Sequence, residues 1–171
     1  FLYACGTMAR FIIAPNASTN NVWATGLGAM YNAGEVSALY SPAYDLSSLV
    51  RPKVSFDQVA YMGVNDGVVL EFSTDTFNIA DPLKNWYRIG TNANGNNWYN
   101  KSGLASSPGD QTDIGPPKIT SGDFGWSTQL DTVLHSQHTL SPDLPGGLRT
   151  HVIFRFAMAS LPADSSEGFA F

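Results

Sequence analysis

The stretch His151-Val152-Ile153-Phe154-Arg155-Phe156-Ala157-Met158 decides how the chain is read. Successive side chains of a strand point to opposite faces, so Val152, Phe154, Phe156 and Met158 fall on one side and Ile153, Arg155 and Ala157 on the other. Arg155 is the one charge among these core positions, which predicts a carboxylate or carbonyl partner across a sheet. Working outward, Val68-Val69-Leu70-Glu71-Phe72-Ser73 repeats the pattern, with Val68, Leu70 and Phe72 on one face and Glu71 and Ser73 on the other. Lys53-Val54-Ser55-Phe56-Asp57 turns Val54 and Phe56 inward. Ala38-Leu39-Tyr40-Ser41 and Trp86-Tyr87-Arg88-Ile89 read as shorter strands.

Turn chemistry separates these runs. Asn65-Asp66-Gly67, the TNANG segment at 91–95 and Pro145-Gly146-Gly147 carry the residues that tolerate positive φ or preset a turn. Pro42 disfavours helix at Ser41 and so favours an extended segment there. Asp45 is placed to accept backbone N–H groups in an Asx turn. Residues 101–125 hold Gly, Pro, Ser and Asp with almost no hydrophobic period and read as a long loop. Residues 127–140 fit a helix through Leu130, Val133 and Leu134, or a strand through Thr128, Leu130, Thr132 and Leu134. The strand is favoured because its neighbours are strands. Many short strands with Gly and Pro at the turns predict an all-β chain, an antiparallel β-sandwich; the mixed connection lengths favour a jelly roll over a meander. Residues 1–171 read as one module.

Composition narrows the function. Hydrophobic residues make up 43% of the chain, enough for a core, while charged residues make up only 13%, about half the usual share. Uncharged polar residues and 16 Gly fill the gap, which suits a turn-rich protein working outside the cell. Nine scattered Lys and Arg and a net charge of −5 leave no basic footprint for nucleic acid. No apolar run approaches the roughly 20 residues of a membrane-spanning helix, so no membrane insertion is expected. The one cysteine, Cys5, has no internal disulfide partner and reads as an incidental thiol. A lipid-attachment reading fails because the four residues before it are too short for a signal peptide. The apolar opening and the strand-like Gly168-Phe169-Ala170-Phe171 at the end read as a module of a longer polypeptide.

The order of several segments carries more. Ser41-Pro42-Ala43-Tyr44-Asp45-Leu46-Ser47-Ser48 is followed by Asp66-Gly67-Val68-Val69-Leu70-Glu71-Phe72-Ser73-Thr74-Asp75, Trp86-Tyr87-Arg88-Ile89-Gly90 and Asn97-Trp98-Tyr99-Asn100. Gly125-Trp126-Ser127, Val152-Ile153-Phe154-Arg155-Phe156-Ala157 and Glu167-Gly168-Phe169-Ala170-Phe171 complete the series. Over 23–171 this resembles the MAM-like jelly-roll modules of secreted Bacteroidota surface proteins and peptidases, relatives of cleaved-adhesin domains. The chain departs from that pattern in an insertion after Asp75, in a long 109–122 segment and in lacking a recognisable acidic residue on the first strand. The resemblance implies an extracellular or cell-surface location and a role in adhesion.

Calcium is the cofactor that the resemblance and the composition favour. It takes six to eight oxygens, and Asn32, Glu35, Asp66, Asp75 and Glu167 are loop or strand-end oxygens able to converge. Turn capping is the competing role for each. His135 and His138 share a helical face at zinc-ligand spacing, but no further ligand completes a site, and exposed surface histidines are the expectation. For a glycan, Trp86, Tyr87, Trp98, Tyr99 and Trp126 are rings able to stack on sugars, with Asn97 in the Asn-rich loop to bond hydroxyls. Burial in the core is the default for such aromatics, Trp86 and Trp98 included, and Trp98 and Tyr99, flanked by Asn and Gly, are the best candidates for exposure. Gly125-Trp126-Ser127 lacks the second glycine of a nucleophile elbow. The sequons Asn16-Ala17-Ser18 and Asn100-Lys101-Ser102 matter only in a glycosylating host. The resulting expectation is a non-catalytic adhesion module that binds a glycan or an extracellular protein beside other domains of its parent chain. A carbohydrate-binding module appended to an enzyme and a structural spacer in a surface filament are the alternatives.

Overall fold

The computed structural model describes residues 3–6, 22–26, 29–74, 86–92, 94–109, 124–127 and 130–171. They form an all-β structure of two antiparallel sheets. The strands are β1 (Tyr3–Gly6), β2 (Val22–Thr25), β3 (Val36–Tyr44), β4 (Lys53–Tyr61), β5 (Gly67–Ser73), β6 (Tyr87–Arg88), β7 (Leu130–Thr139), β8 (Val152–Ala159) and β9 (Gly168–Ala170). One sheet runs β1-β2-β9-β4-β7 and the other β3-β8-β5-β6. The β-sandwich read from the sequence is what the chain forms.

The alternation in β8 places its residues as expected. Val68, Leu70 and Phe72 of β5 pair with Met158, Phe156 and Phe154 of β8. Phe156 then meets Phe56 of β4 at 5.0 Å and Phe169 of β9 at 5.9 Å between ring centroids, so this face looks into the space between the sheets. The described part of 127–140 holds a strand and no helix: β7 pairs along β4, with Ser136 opposite Phe56 and His135 opposite Asp57. β6 is shorter than its sequence pattern, because only Tyr87 and Arg88 pair with β5 before the chain turns away.

The second face of the β5–β8 ladder is covered too. Every residue of β5 is buried, including Glu71 and Ser73. Arg155 lies opposite Glu71 in the ladder and donates from Nε to Glu71 Oε2 at 2.7 Å. The guanidinium carbon sits 4.2 Å from the Trp86 ring centroid, and Nη2 donates to Gly109 O. Arg88, opposite Glu71 on β6, donates to Pro108 O. The first part of the long loop, 101–109, thus closes over the pair together with Trp86. Residues 110–123 of that loop lie outside the described residues.

Local signals hold where they rest on side-chain-to-backbone bonds. Ser47 N–H donates to Asp45 Oδ1 at 2.9 Å, and the Ser47 side chain with this N–H keeps the Asp45 carboxyl below the usual aspartate range. Ser41 Oγ accepts the Phe154 N–H at 2.9 Å where the β3–β8 register shifts between Tyr40 and Ala43.

Candidate functional site

The aromatic platform expected for a glycan is internal. Trp98 and Tyr99 are each 2% exposed and Trp126 is 1% exposed, so they follow the default of buried aromatics, and the selection of Trp98 and Tyr99 as the candidates for exposure is corrected. The reason is backbone geometry. Asn97 and Tyr99 both have positive φ, 48° and 25°, which breaks the alternation that would have turned one of two successive side chains outward. Trp126 packs against Tyr99 at 4.5 Å and Trp98 at 4.8 Å. The polar atoms of these rings bind backbone. Trp98 Nε1–H donates to Ile89 O, Trp126 Nε1–H donates to Asn97 O, and the Tyr99 hydroxyl both accepts from Leu70 N and donates to Leu70 O. Burial pushes the Tyr99 hydroxyl far above its ordinary range. Asn97 is exposed, but its amide donates to His135 O.

The two histidines go to different places. His135 is exposed and meets Asp57 Oδ1 at 2.8 Å. His138 is buried, against the expectation of a surface histidine, because β7 turns alternate residues inward and i, i+3 fall on opposite faces. Its ring stacks on Trp98 at 4.8 Å. Nδ1 donates to Asn94 O, a carbonyl that can only accept, and Nε2 meets Asp143 Oδ2 at 2.6 Å. Asp143 Oδ1 accepts the Gly90 N–H at 3.1 Å. Gly90 has φ +72°, and a Cβ there would lie 2.6 Å from Trp98 Nε1, so glycine is required for the ring to reach its place.

Four of the oxygens proposed for calcium gather at one end of the sandwich, where β3 and β5 begin and β8 finishes. Asp66 is fully buried; Tyr31 donates its O–H to Asp66 Oδ2 at 2.6 Å and Leu161 its N–H to Oδ1 at 2.7 Å. Burial raises the Asp66 carboxyl above the usual range, against the pull of these two donors, and the nearby Asp164 raises it further. Glu35 is 4% exposed. Asn32 Nδ2 reaches its Oε2 at 3.3 Å, while Oε1 is buried with no hydrogen-bond partner among the described residues. Ser160 ties this corner together, accepting the Glu35 N–H and donating to Asn32 O. Glu167 is half-buried on the adjoining 160–167 segment, and Asp75 lies outside the described residues. Among the described residues no three His, Cys, Asp or Glu side chains converge as a metal centre, so these oxygens share an end without forming a cluster. The sequence reading missed Asp164 and Tyr31, whose spacing from the others carries no signal.

The opposite end carries an apolar rim, also unread from sequence. β3 runs out at Tyr44, and the following loop exposes Leu49 and Val50, the latter at 88%. The loop before β8 exposes Leu148 beside it. Arg149 staples the two loops: its Nη1 donates to Leu49 O at 3.0 Å, its Nε to Leu144 O, and its own carbonyl accepts the Leu46 N–H. The signal was present as two adjacent apolar residues, Leu49-Val50, between Ser48 and Arg51 in a loop, a place that burial does not explain. The second sequon is engaged, since Asn100 Nδ2 donates to Ser127 O at 2.6 Å and Oδ1 accepts the Ser127 N–H. Asn16 lies outside the described residues. No family model matches the chain, and no curated protein matches it.

Proposed function

We propose that this chain is a non-catalytic adhesion or binding module of a larger extracellular protein, and that its partner is a protein. The strand order supports a jelly-roll reading, because β2-β9-β4-β7 and β3-β8-β5-β6 interleave as two Greek keys do. The observation that carries the choice of partner is the rim of Tyr44, Leu49, Val50 and Leu148, held out to solvent on two stapled loops. Exposed apolar side chains grouped on a rigid support favour a protein surface, and Trp98, Tyr99 and Trp126, the rings considered for a glycan, lie in the core. Val50→Asp should leave the melting temperature nearly unchanged, because exposed substitutions usually shift stability by less than about 0.5 kcal/mol. It should weaken capture of a protein partner by about tenfold or more, as loss of an interface anchor does. A calcium-dependent hit on a glycan array that survives Val50→Asp would replace this reading with a lectin-like one.

The same proposal places a calcium ion at the opposite end, with Glu35 and the Asn32 side chain as its protein ligands. The buried, unpartnered Glu35 Oε1 supports it, since a carboxylate removed from water is costly without a cation or donors. Calcium would supply that cation and brace the corner between β3 and β8. Saturating calcium at about 100 times its dissociation constant should add about 2.7 kcal/mol of stability over chelator. Glu35→Gln should abolish this difference. A wild-type melting temperature identical in calcium and in chelator removes the ion from the proposal.

A further inference from the structure

The 91–95 turn contains Asn94-Gly95, and its surroundings are unusual for a turn. Asn94 is exposed, and neither its side-chain amide nor the Gly95 N–H has a hydrogen-bond partner among the described residues. Gly95 has φ +147°, and a Cβ there would lie 2.5 Å from Gln137 O, so this backbone belongs to glycine. The carbonyl of the same peptide unit, Asn94 O, accepts a hydrogen bond from His138 Nδ1. His138 is in turn oriented by Asp143 at Nε2 and by the stacked Trp98 ring.

We propose that Asn94 is a self-modification site, at which the His138 N–H promotes succinimide formation from the Asn94-Gly95 pair. When the Gly95 nitrogen loses its proton, the negative charge is shared with Asn94 O. A buried, fixed N–H at that oxygen stabilises the charge in the manner of an oxyanion-hole donor. The nitrogen attacks Asn94 Cγ. The Gly95 N–Cγ bond forms and the Cγ–Nδ2 bond breaks, and Nδ2 leaves as ammonia with its two hydrogens and the proton released from Gly95. Water then opens the ring at either carbonyl, giving aspartate or isoaspartate. No oxidant, metal or second protein takes part. The product puts a carboxylate, or an extra backbone methylene, on the turn that holds His138.

The test incubates the folded protein at neutral pH and follows the 91–98 region by peptide mass spectrometry, with isoaspartyl methyltransferase to score the isomer. The same chain in concentrated urea is the reference, since it has the same Asn-Gly pair without His138 at its carbonyl. The folded protein should react at least about tenfold faster than the unfolded chain, a fraction of what one oxyanion donor contributes in enzymes. A folded rate equal to or below the urea rate overturns the proposal, and this comparison needs no variant. His138→Gln should bring the rate in the folded protein down towards the urea value while leaving the urea rate unchanged. A folded His138→Gln protein that reacts as fast as wild type also overturns it.

Discussion

Glu71→Gln should destabilise the protein by about 3–5 kcal/mol, because it removes the charge that faces the buried Arg155 guanidinium across the ladder. Arg155 is 1% exposed and Glu71 fully buried, so water does not screen the pair or replace a missing partner. The ladder puts Glu71 directly between Arg155 on β8 and Arg88 on β6, and opposite charges facing each other across strands hold the register as well as each other. Among the described residues the guanidinium keeps Gly109 O and the Trp86 face after the substitution, neither of which carries a formal charge. Replacing both members with apolar residues, Glu71→Leu with Arg155→Met, should cost much less than the single change, since removing two buried charges also removes their desolvation. Equilibrium denaturation of the two variants decides the matter. A single variant within about 1 kcal/mol of wild type would mean that the pair is hydrated, against the cover described for it.

Trp126→Ala should cost about 3–5 kcal/mol, the range for deleting a large buried aromatic. Its ring meets Phe56, Trp98, Tyr99, Phe156 and Phe169, residues drawn from both sheets and from the 97–100 loop. At roughly 2–4 °C per kcal/mol for a domain of this size, the melting temperature should fall by about 10 °C. Trp126→Phe should cost far less. The carbonyl that loses the indole N–H, Asn97 O, also accepts a hydrogen bond from Ser136 Oγ at 2.9 Å and stays satisfied. Packing rather than hydrogen bonding then sets the difference between the two variants. An alanine variant that melts with wild type would restore the exposed reading of this aromatic group.

The sheets were legible because alternation is a local signal. β8, β5 and β4 announced their inner faces residue by residue, and the partner of Arg155 was expected across the sheet, where Glu71 stands. The Asp45 turn was legible because an Asx turn spans three residues. What failed was burial set by loops that approach from far along the chain. Trp98 and Tyr99 sit in a segment rich in Asn and Gly that looks like a surface loop, and two positive-φ residues fold it inward. The burial of β5 on both faces depends on Pro108 and Gly109, more than thirty residues from Glu71, so the alternation that put Glu71 and Ser73 on the second face carried no sign of what covers it. His138 gave no sign of burial, because Asp143 and Asn94 reach it from two separate turns. Asn32, Glu35 and Asp66 were picked by residue type, and the strand ends bring them to one end without closing a shell.

The shortest route through the five-stranded sheet passes along β9, a strand of three residues lying between β2 and β4. Its neighbours come from residues 22–25 and 53–61, so the last of the strands to be synthesised joins two of the first. Before residues 168–170 leave the ribosome, the described strands of this sheet can pair only as two separate ribbons, β1-β2 and β4-β7. Each of those ribbons has one edge waiting for the same short insert, and neither can propagate to the other without it. Completion of the sandwich is therefore a late, non-local event whose loop-closure entropy falls on a few ladder bonds, which sets a slow folding rate and a long interval with open edges.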